Sequence, residues 1–87
     1  VDQLIDGRIH DSQRLRYLQS HIAAVHRAIG TGVPVDGYMV WSLLDNFEWI
    51  FGYGPKFGLA SVDRTTFART PKPSSVVYEA IARSNAL

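Results

Sequence analysis

From Asp11 onward, apolar residues recur at Leu15, Leu18, Ile22, Val25 and Ile29, at spacings of 3, 4, 3 and 4 that place them on one stripe of an α-helix. Arg14, Arg16, Gln19, His26 and Arg27 fall on the other faces. Asp11 or Ser12 stands where an N-cap is needed, and Gly30 and Gly32 offer the positive φ that ends a helix. Residues 1–10, with Asp2, Asp6 and Gly7 around Leu4 and Ile5, keep neither period and predict an irregular lead-in.

After Pro34 the pattern changes. Residues 35–44 form a nearly continuous apolar run, as expected of a parallel strand covered on both faces. Residues 45–55 then mix Asn46, Gly52 and Gly54 with Phe47, Trp49, Phe51 and Tyr53. That is loop punctuation carrying far more aromatic area than a solvated loop needs, so the loop is packed or binds something. Residues 56–62 and 67–70 predict a small hairpin around Asp63 to Thr66. Pro71 and Pro73 break the chain, and Ser74 or Ser75 caps a last helix with Val77, Ala80, Ile81 and Ser84 on one face, ending near Asn85.

One two-sided strand between two one-sided helices amounts to about a quarter of a parallel α/β architecture, and nothing within the chain pairs with the strand's edges. The expectation is a piece of a larger fold. The start, Val-Asp-Gln-Leu-Ile-Asp-Gly-Arg, has no initiator Met and no signal-peptide order, and reads as the middle of something.

Composition narrows the function. Nine Lys+Arg against eight Asp+Glu give a net charge of +1, too little field to steer nucleic acid or an anionic membrane. No apolar run approaches the roughly 20 residues of a membrane span. The absence of cysteine removes disulfides, thiolate metal sites and thiol nucleophiles, and makes a reducing, cytoplasmic setting the default. His10, His21 and His26 lack the spacing of a metal site, so neither metal nor cofactor is expected. Gly52-Tyr53-Gly54 has no following Lys-Ser/Thr and is not a phosphate cradle.

The chemistry concentrates in residues 41–49, Trp-Ser-Leu-Leu-Asp-Asn-Phe-Glu-Trp, at and just past the end of the expected strand. Parallel barrels build their sites at that end. A sugar presents apolar C–H faces and a rim of hydroxyls, which suit an aromatic platform beside a carboxylate. Composition and spacing alone leave the alternative that both tryptophans are core filler and Glu48 a solvated acid. Asp36 and Asp45, flanking the strand, read as structural hydrogen-bond acceptors.

The residues themselves are more specific. The 41–49 segment, followed by Gly52-Tyr53, Phe57-Gly58-Leu59, Val62-Asp63 and Arg69-Thr70-Pro71-Lys72 with Ser74, resembles the C-terminal end of family 1 glycoside hydrolases, the β-glucosidase family. Residues 6–11, Arg16-Tyr17-Leu18, His21-Ile22, Ala28-Ile29 and Gly32-Val33 extend the resemblance over essentially the whole chain. It implies a (β/α)8 TIM barrel, of which residues 1–87 would be the C-terminal part of a single domain: helix seven, strand eight and helix eight with their loops. It further implies that Trp41 is the platform under the sugar in the −1 subsite. Glu48 would accept hydrogen bonds from the 4- and 6-hydroxyls, Trp49 would donate to the 3-hydroxyl, and Phe57 would line the pocket. A cis peptide is expected at Trp41-Ser42. Lys56, where the family often has Arg, and Val77, where it usually has an aromatic, depart from the pattern and bear on packing.

The family's two catalytic glutamates, about 5 to 5.5 Å apart, belong to Asn-Glu-Pro and Glu-Asn-Gly motifs that this chain lacks. Its glutamates are Glu48 and Glu79, the second on a helix face expected to be solvated. Catalysis would therefore need the upstream barrel segment as partner, acting on a β-glucoside or related small glycoside. Glu48 favours an unphosphorylated sugar, because its charge would repel a phosphate. The rival expectation is a free-standing carbohydrate-binding or self-assembling module without catalysis.

Overall fold

The computed structural model describes residues 2–87; Val1, part of the expected lead-in, lies outside the described residues. The lead-in is a short antiparallel hairpin rather than irregular chain, with β1 (Gln3–Ile5) paired to β2 (Arg8–His10). Asp6 and Gly7 take the turn with φ of 52° and 73°, the left-handed pair that a two-residue hairpin connection demands. The Asp6-Gly7 dipeptide was the signal for it in the sequence.

Helix α1 (Ser12–Gly30) follows as expected. Leu18 is buried, while Leu15, Ile22 and Val25 are half-buried and Ile29 is exposed, so the stripe is covered at its beginning only. Gly32, at φ 99°, supplies the positive φ after the helix, and Gly30 closes it in helical conformation.

The expected strand over 35–44 is absent, which corrects the sequence reading. Among the described residues, only Leu44 makes a bridge there, a parallel one to Ala60. Met39 is 94% exposed and Leu43 72%, because no neighbouring strand lies on either side to complete a ladder. The end of this stretch pairs instead with the chain beyond the aromatic loop. Ser42 N–H donates to Phe57 O at 3.0 Å and Leu59 N–H to Ser42 O at 2.9 Å. Ala60 N–H donates to Leu43 O and Asp45 N–H to Ala60 O, each at 3.0 Å.

A single turn of 3-10 helix (Trp49–Phe51) lies inside the loop. The expected hairpin forms over shorter strands, β3 (Ala60–Val62) and β4 (Arg69–Pro71), in the register Ser61 opposite Thr70. Helix α2 (Pro73–Ser84) packs against α1 and ends at Asn85 in the left-handed conformation. Its inward residues are Tyr78, Ile81, Ala82 and Asn85, which with Ile22, Val25 and Ile29 line an open apolar groove of about 660 Å³. Of the expected face, Val77 and Ile81 are half-buried, while Ala80 and Ser84 are exposed.

The centre of the molecule is polar. The buried apolar residues are Leu18, Leu59 and Ala60, whereas Asp11, Asp45, Lys72 and Ser74 are each less than 9% exposed. Lys72 Nζ donates to Asp45 Oδ1 at 2.8 Å and to Asp2 Oδ2 at 2.6 Å. Arg14 Nη1 bridges Asp2 and Asp11, at 2.8 Å to each. Asp11 occupies the N-cap position of α1 without capping it. Its carboxylate accepts instead from the Ser74 amide at 3.2 Å and the Ser74 hydroxyl, at the first turn of α2. One carboxylate thereby satisfies orphan donors of a helix 63 residues away. Neither Ser74 nor Ser75 is the N-cap; Lys72 holds that place, with Pro73 as the first helical residue.

Removing one partner of a buried ion pair leaves the other charge uncompensated. Lys72→Met is expected to lower the unfolding free energy by about 3–5 kcal/mol, read from the shift of the urea midpoint. Burial alone would raise the Asp11 carboxyl, but the Ser74 hydroxyl, the Arg14 guanidinium and the Ser74 amide together hold it below its ordinary 3.8. The stabilisation is thus complete above that value and lost as acid carries the pH down through the folded pKa. Asp11→Asn is expected to flatten the acid limb of unfolding free energy against pH, below about pH 4, in denaturant titrations at successive pH values.

Candidate functional site

The four backbone hydrogen bonds between residues 42–45 and 57–60 form the neck of a loop whose body is 46–56. Gly58 sits in that neck with no room for a side chain. A Cβ there would overlap the Asp45 amide nitrogen and the Leu44 carbonyl carbon and lie 2.8 Å from the Ala60 oxygen. The Gly58 amide donates to Asp45 Oδ1 at 2.8 Å, the same oxygen that receives Lys72. Asp45 therefore acts as the structural acceptor read from the sequence, tying together the start of the loop, its end and the approach to α2. Ser42 Oγ and Asn46 Nδ2 add bonds to the Leu44 carbonyl at 3.0 and 2.9 Å.

Within the loop body, Glu48 N–H donates to Gly52 O at 2.8 Å, and Phe51 and Gly52 donate back to Glu48 O and Trp49 O at 3.0 Å each. These bonds close the turn that carries Glu48 and Trp49. Trp49 has φ 51°, a left-handed conformation that is rare for a bulky residue and persists only where surroundings over-determine it. Phe47 packs edge-on against both Trp49 (6.5 Å between centroids) and Tyr53 (5.3 Å), and the Arg64 guanidinium lies 4.5 Å over the Tyr53 ring. The loop is thus packed on itself, yet Trp49 remains 83% exposed.

The four site residues read from the sequence fall into two pairs. Trp41 and Phe57, brought to the two sides of the neck, line one open groove of about 1010 Å³ together with Arg14, Tyr17, Met39 and Lys56. Glu48 and Trp49 stand outside that groove on the closed turn. The Trp41-Ser42 peptide is cis, as expected. Glu79 is exposed and pairs with Arg83 at 2.8 Å, and His21 stacks on Tyr17 at 3.8 Å, so neither converges on the loop. Among the described residues no group of three metal-ligating side chains forms, and no helix is long and apolar enough to cross a membrane.

The profile described as glycosyl hydrolase family 1 matches residues 1–87. The chain belongs to glycosyl hydrolase family 1. β-Glucosidase A of Thermotoga maritima is 49% identical over 82 residues, which are 94% of this chain and 18% of that protein. The 6-phospho-β-galactosidase of Streptococcus equi subsp. zooepidemicus is 43% identical over 86 residues, 99% of this chain and 18% of that protein. The solved family 1 β-glucosidase of T. maritima in complex with isofagomine lactam superposes with a TM-score of 0.93 at 45% identity, covering 100% of this chain and 20% of that one. The chain therefore spans about a fifth of the length of the family 1 relatives it matches. Those structural neighbours are TIM-barrel enzymes, and the mixed α/β character of this chain fits a part of such a barrel.

Sequence reasoning missed the residues that hold the family 1 loop in place. Lys72 was visible only as part of a motif, and Arg64 and Gly58 carried no assigned role. Gly58→Ala is expected to destabilise the protein by at least about 1–3 kcal/mol, whereas Gly54→Ala, whose Cβ would meet only Phe51 O at 3.6 Å, leaves the melting temperature nearly unchanged. Thermal unfolding of the two variants side by side checks this.

Proposed function

We infer that residues 1–87 work as the C-terminal part of a single retaining β-glycosidase barrel, as helix seven, strand eight and helix eight with their loops. In this reading the chain supplies the sugar-recognition half of the −1 subsite, and the rest of the barrel supplies both catalytic carboxylates. One observation carries it. Trp41 adjoins, and Trp49 stands on, a loop whose neck is locked by buried polar contacts, and the two rings are 71% and 83% exposed. That is a rigid mount for two flat apolar faces, as a sugar platform requires.

The roles follow from the chemistry of each side chain. Trp41 stacks under the C–H face of the sugar and Phe57 completes that wall. Glu48 accepts two hydroxyl hydrogen bonds, and the Trp49 indole donates a third. The name of one relative concerns a phosphorylated sugar, so overall similarity does not select between sugar classes. The negative charge of Glu48 does, by repelling a phosphate, and supports an unphosphorylated β-glucoside as substrate. The cysteine-free composition favours a cytoplasmic setting.

In the complete barrel, Glu48→Gln is expected to lower kcat/KM for an aryl β-glucoside about 100-fold, as weakening two charge-assisted hydrogen bonds implies. An unchanged value would return the tryptophan loop to a packing role. Residues 1–87 alone are expected to hydrolyse nothing. A native mass spectrum of the purified material is expected to pair this chain with a larger barrel partner, or to show it within one longer chain. A spectrum holding only copies of the 87-residue chain would favour the self-assembling module instead.

A further inference from the structure

Arg64 belongs to the turn between β3 and β4, outside the 41–49 segment, and touches both ends of the loop body. Its Nη2 donates to the Asp45 carbonyl at 2.6 Å, and its guanidinium covers the Tyr53 ring at 4.5 Å. The turn that aims it is itself well fixed. Asp63 Oδ1 accepts from Thr65 N–H at 2.8 Å and Thr66 N–H at 3.1 Å, and the Asp63 carbonyl accepts from Phe67 N–H at 2.7 Å. From Tyr53 the contacts run edge-to-face through Phe47 to Trp49, the residue held at φ 51°. A left-handed tryptophan needs support from more than its own turn. The guanidinium reaches the Tyr53 end of this chain of rings from outside the loop, while Lys72 and Gly58 secure the neck.

We propose that Arg64 is a positioning residue for sugar recognition: it braces Asp45 against Tyr53 and, through Phe47, sets where the Trp49 indole stands. The planar fork suits both tasks at once, lying flat on a ring while one N–H points in plane to a carbonyl. Arg64 makes no contact with substrate in this account. It acts on the ground-state and transition-state contacts of Trp49 alike, so its removal raises KM more than it lowers kcat. The inference rests on the reading of Trp49 as a sugar contact, and the test separates the two.

The experiment measures KM and kcat for an aryl β-glucoside in the complete barrel, for Arg64→Met, Trp49→Phe and the double variant, with melting temperatures alongside. Arg64→Met is expected to raise KM about three- to tenfold, with kcat changed less and the melting temperature nearly held. Because Arg64 works through Trp49, the same change in the Trp49→Phe background adds less than about twofold. Arg64→Lys, which keeps a cation over Tyr53 but not the fork, falls between wild type and Arg64→Met. An unchanged KM in Arg64→Met, or a full multiplicative effect in the Trp49→Phe background, overturns the proposal while leaving Trp49 as a sugar contact. An unchanged KM in Trp49→Phe itself overturns the sugar-contact reading and the proposal with it. Should Arg64→Met unfold, Tyr53→Leu removes the ring beneath the guanidinium and is judged by the same criteria.

Discussion

An ammonium withdrawn from water must be met by carboxylates at close range, or it will not stay charged and buried. Lys72, 1% exposed, meets that condition with Asp45 on one side and Asp2 on the other. Everything else in the chain is arranged around this requirement. Asp45 is turned to Lys72 at the closed loop neck, and Asp2 reaches both Lys72 and Arg14 from just before the lead-in hairpin. Arg14 then joins Asp2 to Asp11, and Asp11 completes the first turn of α2. With only Leu18, Leu59 and Ala60 buried among the described apolar residues, hydrophobic burial contributes little to this arranging. The polar network supplies the specificity that a core supplies in larger folds.

That economy explains the division of labour in the 41–60 region. Polar groups are consumed in the neck, where Gly58 admits the close approach of two backbones, and aromatic groups are left free in the body. Packing among Phe47, Trp49 and Tyr53 limits how the rings move, while Trp49 stays 83% exposed. Recognition of a sugar asks for that combination, since each hydroxyl and each C–H face is read only if its partner is already in place. The grooves beside the neck and between the helices are both open, in a chain that spans a fifth of its relatives' length.

Legibility of the sequence followed the range of the forces involved. Helix α1 and the end of α2 near Asn85 were readable because their signals are local: a repeated apolar spacing and a left-handed terminus. The small hairpin was readable for the same reason. The strand over 35–44 was not, because a strand is defined by neighbours, and its apolar run describes an environment this chain does not contain. Asp11 holds the N-cap position read for it, but that its carboxylate turns away was not readable, since no local rule directs it to a helix 63 residues further on. Trp41, Glu48, Trp49 and Phe57 were singled out through motif resemblance; their placement on two sides of a closed neck is a tertiary fact. Lys72, Gly58 and Arg64 were unreadable because each acts only through a distant backbone or carboxylate.

The ion pair between Asp2 and Lys72 spans 70 residues of chain. At synthesis rates of about 5–20 residues per second, Asp2 is joined to the chain roughly 4 to 14 s before Lys72 is. During that interval Asp2 and Asp11 share Arg14, and Asp45 lacks the ammonium that it meets in the finished fold. The lead-in and the loop neck can therefore be joined through this ammonium only once the proline-flanked Lys72 has been made.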